Sequence, residues 1–149
     1  MTDNGKTVEE FLQENGEYMA TTAGISMYPL LQHRQYVVRI VPANGRLKKY
    51  DVALFRRGKQ LVLHRVIKVY PDRYFIRGDN CEDGEIVYDR QIVGVLAEIK
   101  GKDKHILMTD KDYIRYAHRT VNLFPYKHFF KKIYRFARRT AKRILKGRK

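Results

Sequence analysis

The chain has 149 residues, a formal net charge of +15, a hydrophobic fraction of 44% and an aromatic fraction of 12%. That content excludes collagen-like and fully disordered chains, and a single cysteine, Cys81, excludes a disulfide scaffold. One domain of ordinary size, able to bury a core without metal or disulfide staples, is the expectation.

The charge is uneven. Between Tyr126 and Lys149 there are eleven Lys or Arg and no acid, which leaves 20 basic and 16 acidic residues for the rest. A nearly balanced domain thus carries a basic tail. No run approaches the roughly 18–20 apolar residues that span a bilayer. The stretch from Met1 to Gln13 is polar and acidic and lacks the basic start and apolar centre of a secretion signal. A cytoplasmic location is expected, and a lone thiol fits that reducing compartment.

In chain order, Thr7-Val8-Glu9-Glu10 has the spacing of a capping box. Val8, Phe11 and Leu12 follow at helical intervals, so a short helix is predicted to end near Gly16. From Tyr18 to about Met108, runs rich in Val, Ile, Tyr and Phe alternate with turn residues. Strands are predicted at Tyr36 to Val41, Asp51 to Phe55, Leu61 to Val69, Tyr74 to Ile76, Ile86 to Tyr88, Ile92 to Ile99 and His105 to Met108. Short strands with no helices between them predict a mainly β fold, an antiparallel barrel or sandwich rather than a parallel sheet. After Met108 the pattern becomes helical. Thr109 is the expected cap of a helix running to about Val121, which Asn122 and Pro125 interrupt. A second helix is predicted from Tyr126 to Lys146, with Gly147 as its stop. The expected division is residues 1–17 as an N-terminal helix, 18–108 as the β domain and 109–149 as a helical basic tail.

Chemistry concentrates in three segments. Gly24-Ile25-Ser26-Met27-Tyr28-Pro29 sets a serine between a glycine, which permits close backbone approach, and a proline, which restricts the chain after it. The residues alone leave open whether this holds a nucleophile in one pose or makes a tight surface turn. Val62-Leu63-His64-Arg65-Val66-Ile67 places His64 in an apolar strand, where it reads equally as a core or cross-strand residue. Arg77-Gly78-Asp79-Asn80 follows the next strand and reads equally as a turn. His33, His105, His118 and His128 lack metal-ligand spacing, and no cofactor is expected.

Taken in this order, the segments resemble the signal peptidase I superfamily. Ser26-Met27-Tyr28-Pro29 is similar to its Ser-Met-x-Pro box. Tyr50-Asp51-Val52-Ala53-Leu54-Phe55 is similar to its Gly-Asp-Val-Val-x-Phe-like strand, Leu63-His64-Arg65-Val66-Ile67 to its base-bearing strand, and Arg77-Gly78-Asp79-Asn80 to its Gly-Asp-Asn box. The resemblance covers roughly Ala20 to Ile99. It implies a signal-peptidase-like antiparallel β barrel and a serine endopeptidase of the histidine-base type, because residue 64 is histidine where most bacterial members carry lysine. Ser26 would be the nucleophile. His64 would be the general base, taking the hydroxyl proton during attack and giving it to the leaving amine. Neutral imidazole, with an unperturbed pKa near ~6.5, suits that role. A carboxylate is expected to fix the histidine tautomer: Asp79, from the matching box, is favoured, Glu85 is next and Asp83 is a third candidate. The backbone N–H of Ser26, with a neighbouring amide, would hold the oxyanion, since Gly24 offers no hydroxyl where some members have serine.

The chain departs from the family in lacking an apolar N-terminal anchor and in carrying His33-Arg34 where Gly-Asp usually follows the serine box. The resemblance therefore implies a peptide or protein substrate with small residues before the cut, such as a leader or signal-like peptide met on the cytoplasmic side. The competing reading is a catalytically inactive peptide-binding or regulatory module.

In the tail, at about 100° per residue, Tyr126, Phe129, Phe130, Ile133, Tyr134, Ala137, Ala141 and Ile144 share one face, and Lys131, Arg135, Arg138, Arg139, Lys142 and Arg143 the other. Such a helix lies in the headgroup plane of a membrane, and each basic residue near an anionic surface adds about 1 kcal/mol. An anionic membrane surface is thus the expected partner, making the protein peripherally membrane-associated. The competing readings are that the apolar face packs on the β domain, or that the charges bind nucleic acid. Nucleic acid is disfavoured because the aromatic residues, which would stack on bases, lie opposite the charges. The residues leave the oligomeric state open.

Overall fold

A computed structural model describes residues 5–126 together with Ile133 and Arg138. Helix α1 (Val8–Asn15) forms as its termini dictate. Glu10 N–H donates to Thr7 Oγ1 at 3.2 Å, Thr7 N–H donates to the Glu10 carboxylate at 2.8 Å, and Gly16 ends the helix at φ 73°. Glycine takes that left-handed conformation without steric cost. The buried face of α1 is Val8 and Leu12.

The strands are β1 (Tyr18–Thr21), β2 (Val37–Val41), β3 (Val52–Arg57), β4 (Gln60–Val69), β5 (Arg73–Arg77), β6 (Glu85–Tyr88), β7 (Ile92–Gly101) and β8 (Lys104–Leu107). They form one antiparallel sheet in the order β1-β2-β7-β3-β4-β5-β6. Glu98 of β7 faces Arg39 of β2 on one side and Leu107 of β8 on the other. Strand β8 therefore continues along the β7 edge that β3 occupies nearer the start of β7. Strands β1 and β6 end the path, so the sheet is open and the ring of the expected barrel is not closed. Helix α2 (Lys111–Asn122) follows.

Most strands overlap the predicted runs within a residue or two. Strand β1 has no predicted counterpart, because a four-residue edge strand buries too little to write a clear alternation; none of its residues is fully buried. At α2 the N-cap is Asp110 rather than Thr109, and Asp110 Oδ2 accepts from Leu107 N–H at 2.8 Å. Of the helix predicted from Tyr126 to Lys146, the part beyond Tyr126 lies outside the described residues except for Ile133 and Arg138, both helical and exposed.

Strand β3 explains where the core sits. Its side chains alternate between faces: Val52 and Leu54 enter one cluster with Leu12, Ile40, Leu96 and Ala117, while Ala53 and Phe55 enter a second with Val66, Tyr74 and Ile76. Both faces are covered, which is why the strand reads as a continuous apolar run. Because Tyr113 and Ala117 belong to the first cluster, α2 packs into the same core as the sheet. Helix α1 comes close enough through Gly94. A Cβ there would lie 2.7 Å from Ile40 Cγ2 and from the Val41 carbonyl oxygen, and 3.0 Å from Leu12 Cδ2. Gly94→Ala is expected to lower stability by about 1–3 kcal/mol through overpacking, read as a lower urea midpoint at unchanged m-value.

Candidate active site

The site rests on a buried charge pair. Arg65, on β4, has no solvent exposure. Its Nε and Nη2 donate to Asp79 Oδ1 and Oδ2, each at 2.7 Å, and Nη1 donates to the Tyr50 carbonyl and the Tyr113 hydroxyl, both at 2.9 Å. Tyr116 O–H also donates to Asp79 Oδ2 at 2.9 Å. A buried guanidinium is tolerated only with such complete pairing. Cross-strand register puts a second arginine, Arg77 of β5, directly opposite Arg65. Its guanidinium stacks 3.2 Å from the Phe124 ring centroid, and burial pushes its pKa down. Tyr50 holds φ 83°. That conformation costs a bulky residue on the order of 1–3 kcal/mol and is offset by the bond its carbonyl accepts from Arg65.

The segment after β5 then serves two sides at once. Asp79 turns to Arg65, while Asn80 turns to the serine segment. Asn80 N–H donates to the Ser26 carbonyl at 2.8 Å, and Asn80 Nδ2 donates to the Ile25 carbonyl at 3.2 Å. On the other flank of that segment, Gly24 has φ 96° and its N–H donates to His33 Nδ1 at 2.8 Å. His33 is thus a strut of the serine turn. Gly78 permits the closest approach. A Cβ there would lie 2.6 Å from the Ser26 carbonyl oxygen, 2.8 Å from Cys81 Sγ and 3.1 Å from His64 Nε2.

His64 points to the opposite face of β4 from Arg65, towards Phe55, with ring centroids 6.1 Å apart. It is 7% exposed. Its Nε2 edge faces Gly78 and, behind it, the serine segment. Its Nδ1 is buried without a hydrogen bond and lies 3.7 Å from Glu85 Oε1, a charge contact too long for a hydrogen bond. Burial pushes the His64 pKa below its ordinary 6.5; Glu85 acts in the raising direction and Arg57 in the lowering one. Half-buried Ser26, together with His64 and Cys81, lines one cleft of about 740 Å³ whose walls include Leu31, Val38, Leu54 and Leu63.

The structure sets the three candidate acids apart. Asp79, favoured on the sequence as the partner of His64, has both oxygens committed to Arg65 and one of them also to Tyr116. Asp83 is exposed in the loop before β6. Glu85, the first residue of β6, is the acid beside the imidazole because it pairs with Ile76, which pairs with Val66 on the His64 face. Arg65, Tyr113, Tyr116 and Arg57 were not singled out on the sequence. For Arg57 a signal existed, since alternation along β3 puts it on the same face as Ala53, the residue opposite His64. Among the described residues, no group of three or more His, Cys, Asp or Glu could hold a metal ion, and no helix is long and apolar enough to cross a membrane. No protein-family model matches the chain, and no curated protein matches it.

The two acids are expected to separate on stability. Asp79→Asn leaves Arg65 buried and uncompensated and should cost about 3–5 kcal/mol. Glu85→Gln, at a partly exposed position, should change stability by less than about 1 kcal/mol. Chemical denaturation of both variants measures the difference.

Proposed function

We propose that the chain is a serine endopeptidase of signal-peptidase-like type, in which Ser26 attacks the scissile carbonyl and His64 carries the proton. The observation that supports it most is the station of His64, with Nδ1 towards Glu85 at 3.7 Å and Nε2 towards the segment that bears Ser26. The hydroxyl of serine is a poor nucleophile until a base removes its proton during attack. A buried imidazole with a lowered pKa is neutral and ready to accept at neutral pH. Glu85 then stabilises the imidazolium that forms and favours the Nδ1–H tautomer. The reading gives the oxyanion to the Ser26 N–H with a neighbouring amide, other than the Gly24 N–H, which His33 takes, and the Tyr28 N–H, which the Ile25 carbonyl takes. The open sheet is read as the signal-peptidase-like strand set without its closure, and the substrate as a leader or signal-like peptide.

Comparison of protein N-termini in cells carrying the parent or Ser26→Ala is expected to reveal substrates whose processing stops in the variant. Unchanged processing with Ser26→Ala would favour a peptide-binding module instead. On a substrate so found, His64→Ala should lower kcat/KM by roughly 10²–10⁴-fold. The acid limb of the pH profile should fall below 6.5, since protonated His64 accepts no proton and burial holds its pKa down. Glu85→Gln should move that limb lower still, because it removes the raising charge. Equal rates for His64→Ala and the parent would end the dyad assignment.

The location is part of the same proposal: the basic tail holds the domain at an anionic membrane surface. The amphipathic sequence pattern supports it, as does Ile133, which belongs to the predicted apolar face and is 49% exposed. In vesicle flotation, the full chain should rise with anionic vesicles and not with zwitterionic ones, and should detach as salt shortens the Debye length from ~10 Å at 0.1 M to ~3 Å at 1 M. Folded protein that stays down with anionic vesicles would exclude the tail as anchor.

A further inference from the structure

Arg57 closes strand β3 on the face that carries the site. Ala53 pairs with His64, Phe55 with Val62 and Arg57 with Gln60, so residues 53, 55 and 57 share the His64 face. Ala53 and Phe55 are fully buried, whereas the Arg57 side chain is 52% exposed. The apolar run ends where the guanidinium begins. Arg57 lines the same cleft as Ser26 and His64, and among the described residues of that lining it is the one permanent cation, none of the others being an aspartate or glutamate. The rest of the wall is neutral and largely apolar.

The contact Arg57 makes is exchangeable. Its Nη1 donates to Glu85 Oε1 at 3.2 Å, and that same oxygen is the one nearest His64 Nδ1, at 3.7 Å. A pair this exposed is worth about 0–1 kcal/mol, too little to hold the guanidinium against a better partner. Arginine presents five donors in a fixed fork that matches a carboxylate. At the rim of a low-dielectric cleft, its attraction for an anion is screened less than in open water.

We propose that Arg57 selects the substrate: the cleft takes an apolar peptide segment that carries an aspartate or glutamate at one fixed position, whose carboxylate pairs with the Arg57 guanidinium. This rests on the peptidase reading given above. The pairing also reaches the base. A substrate carboxylate on Arg57 frees Glu85 Oε1 for His64, and its charge offsets the lowering effect of Arg57 on the imidazole. The acidic residue therefore acts on kcat as well as on KM.

The test is to incubate the full chain, as parent, Arg57→Gln and Arg57→Glu, with a proteome-derived peptide library and to read the residues around each cut by mass spectrometry. Circular dichroism checks that all three are folded. The parent is expected to favour Asp or Glu over Lys about tenfold at one position, the scale of one charge-assisted hydrogen bond. Arg57→Gln should flatten that preference, and Arg57→Glu should favour Lys or Arg at the same position. Cutting by the parent without any charge preference, or an acidic preference that survives in Arg57→Glu, overturns the assignment of Arg57 and leaves the peptidase reading standing. If the parent cuts nothing, the peptidase reading falls, and Arg57 is judged by binding of fluorescent Leu/Val-rich decapeptides carrying one Asp or one Lys. Tighter binding of the Asp peptide, reversed in Arg57→Glu, supports the inference; equal binding of both overturns it.

Discussion

Arg65 and Asp79 meet where water cannot reach either of them, with side-chain exposures of 0% and 1%. Each charge alone would be intolerable there, so every segment that supplies a partner is held to one position. Those segments are the turn before β3 through the Tyr50 carbonyl, the turn after β5 through Asp79, and α2 through Tyr113 and Tyr116. The pair adds little net stability compared with a well-packed apolar substitute. What it contributes is position. His64 precedes Arg65 in the chain, and Gly78 and Asn80 flank Asp79, so the residues that approach Ser26 are neighbours of the two charges. The pair grips from one face of the sheet, His64 points from the other, and the cleft is lined from both.

The two acids near the site therefore divide the work. Asp79 holds the scaffold and Glu85 faces the imidazole. In sequence they are six residues apart, and the box pattern favours Asp79 over Glu85 as the partner of His64. Only the register of β5 against β4 and β6 tells them apart: Glu85 stands across from Ile76 on the His64 face, and the chain turns Asp79 under the sheet. A similar division applies to the arginines, with Arg65 buried in the scaffold and Arg57 left at the cleft rim.

This sets what was legible beforehand. Helix α1 was readable almost to the residue because its signals are local: a reciprocal cap at Thr7 and Glu10 and a left-handed glycine at position 16. The longer strands were readable from their apolar runs, β3 included, although covering on both faces erased its alternation. Strand β1 was not, because its partner lies some 20 residues away and its own four residues carry little pattern. At the site, Ser26 and His64 were found as members of ordered boxes, and the structure sets them on one cleft. The roles of Tyr113 and Tyr116 were invisible, since nothing in an amphipathic helix announces that its tyrosines will meet a buried arginine from β4. His33 carried no sign of its role in the sequence, and its bond to the Gly24 N–H gives it one.

Strand β7 sits between β2 and β3, yet it comes after β6 in the chain. A nascent polypeptide that has left the ribosome only as far as residue 91 has no strand to join its first hairpin to the next one. The strand pairings on the two sides of β7 then form two separate sets, joined by no ladder of the sheet. Contacts of such long sequence separation are closed late and at an entropic cost. The sheet behind the cleft is therefore completed only when residues 92–101 take their place between β2 and β3.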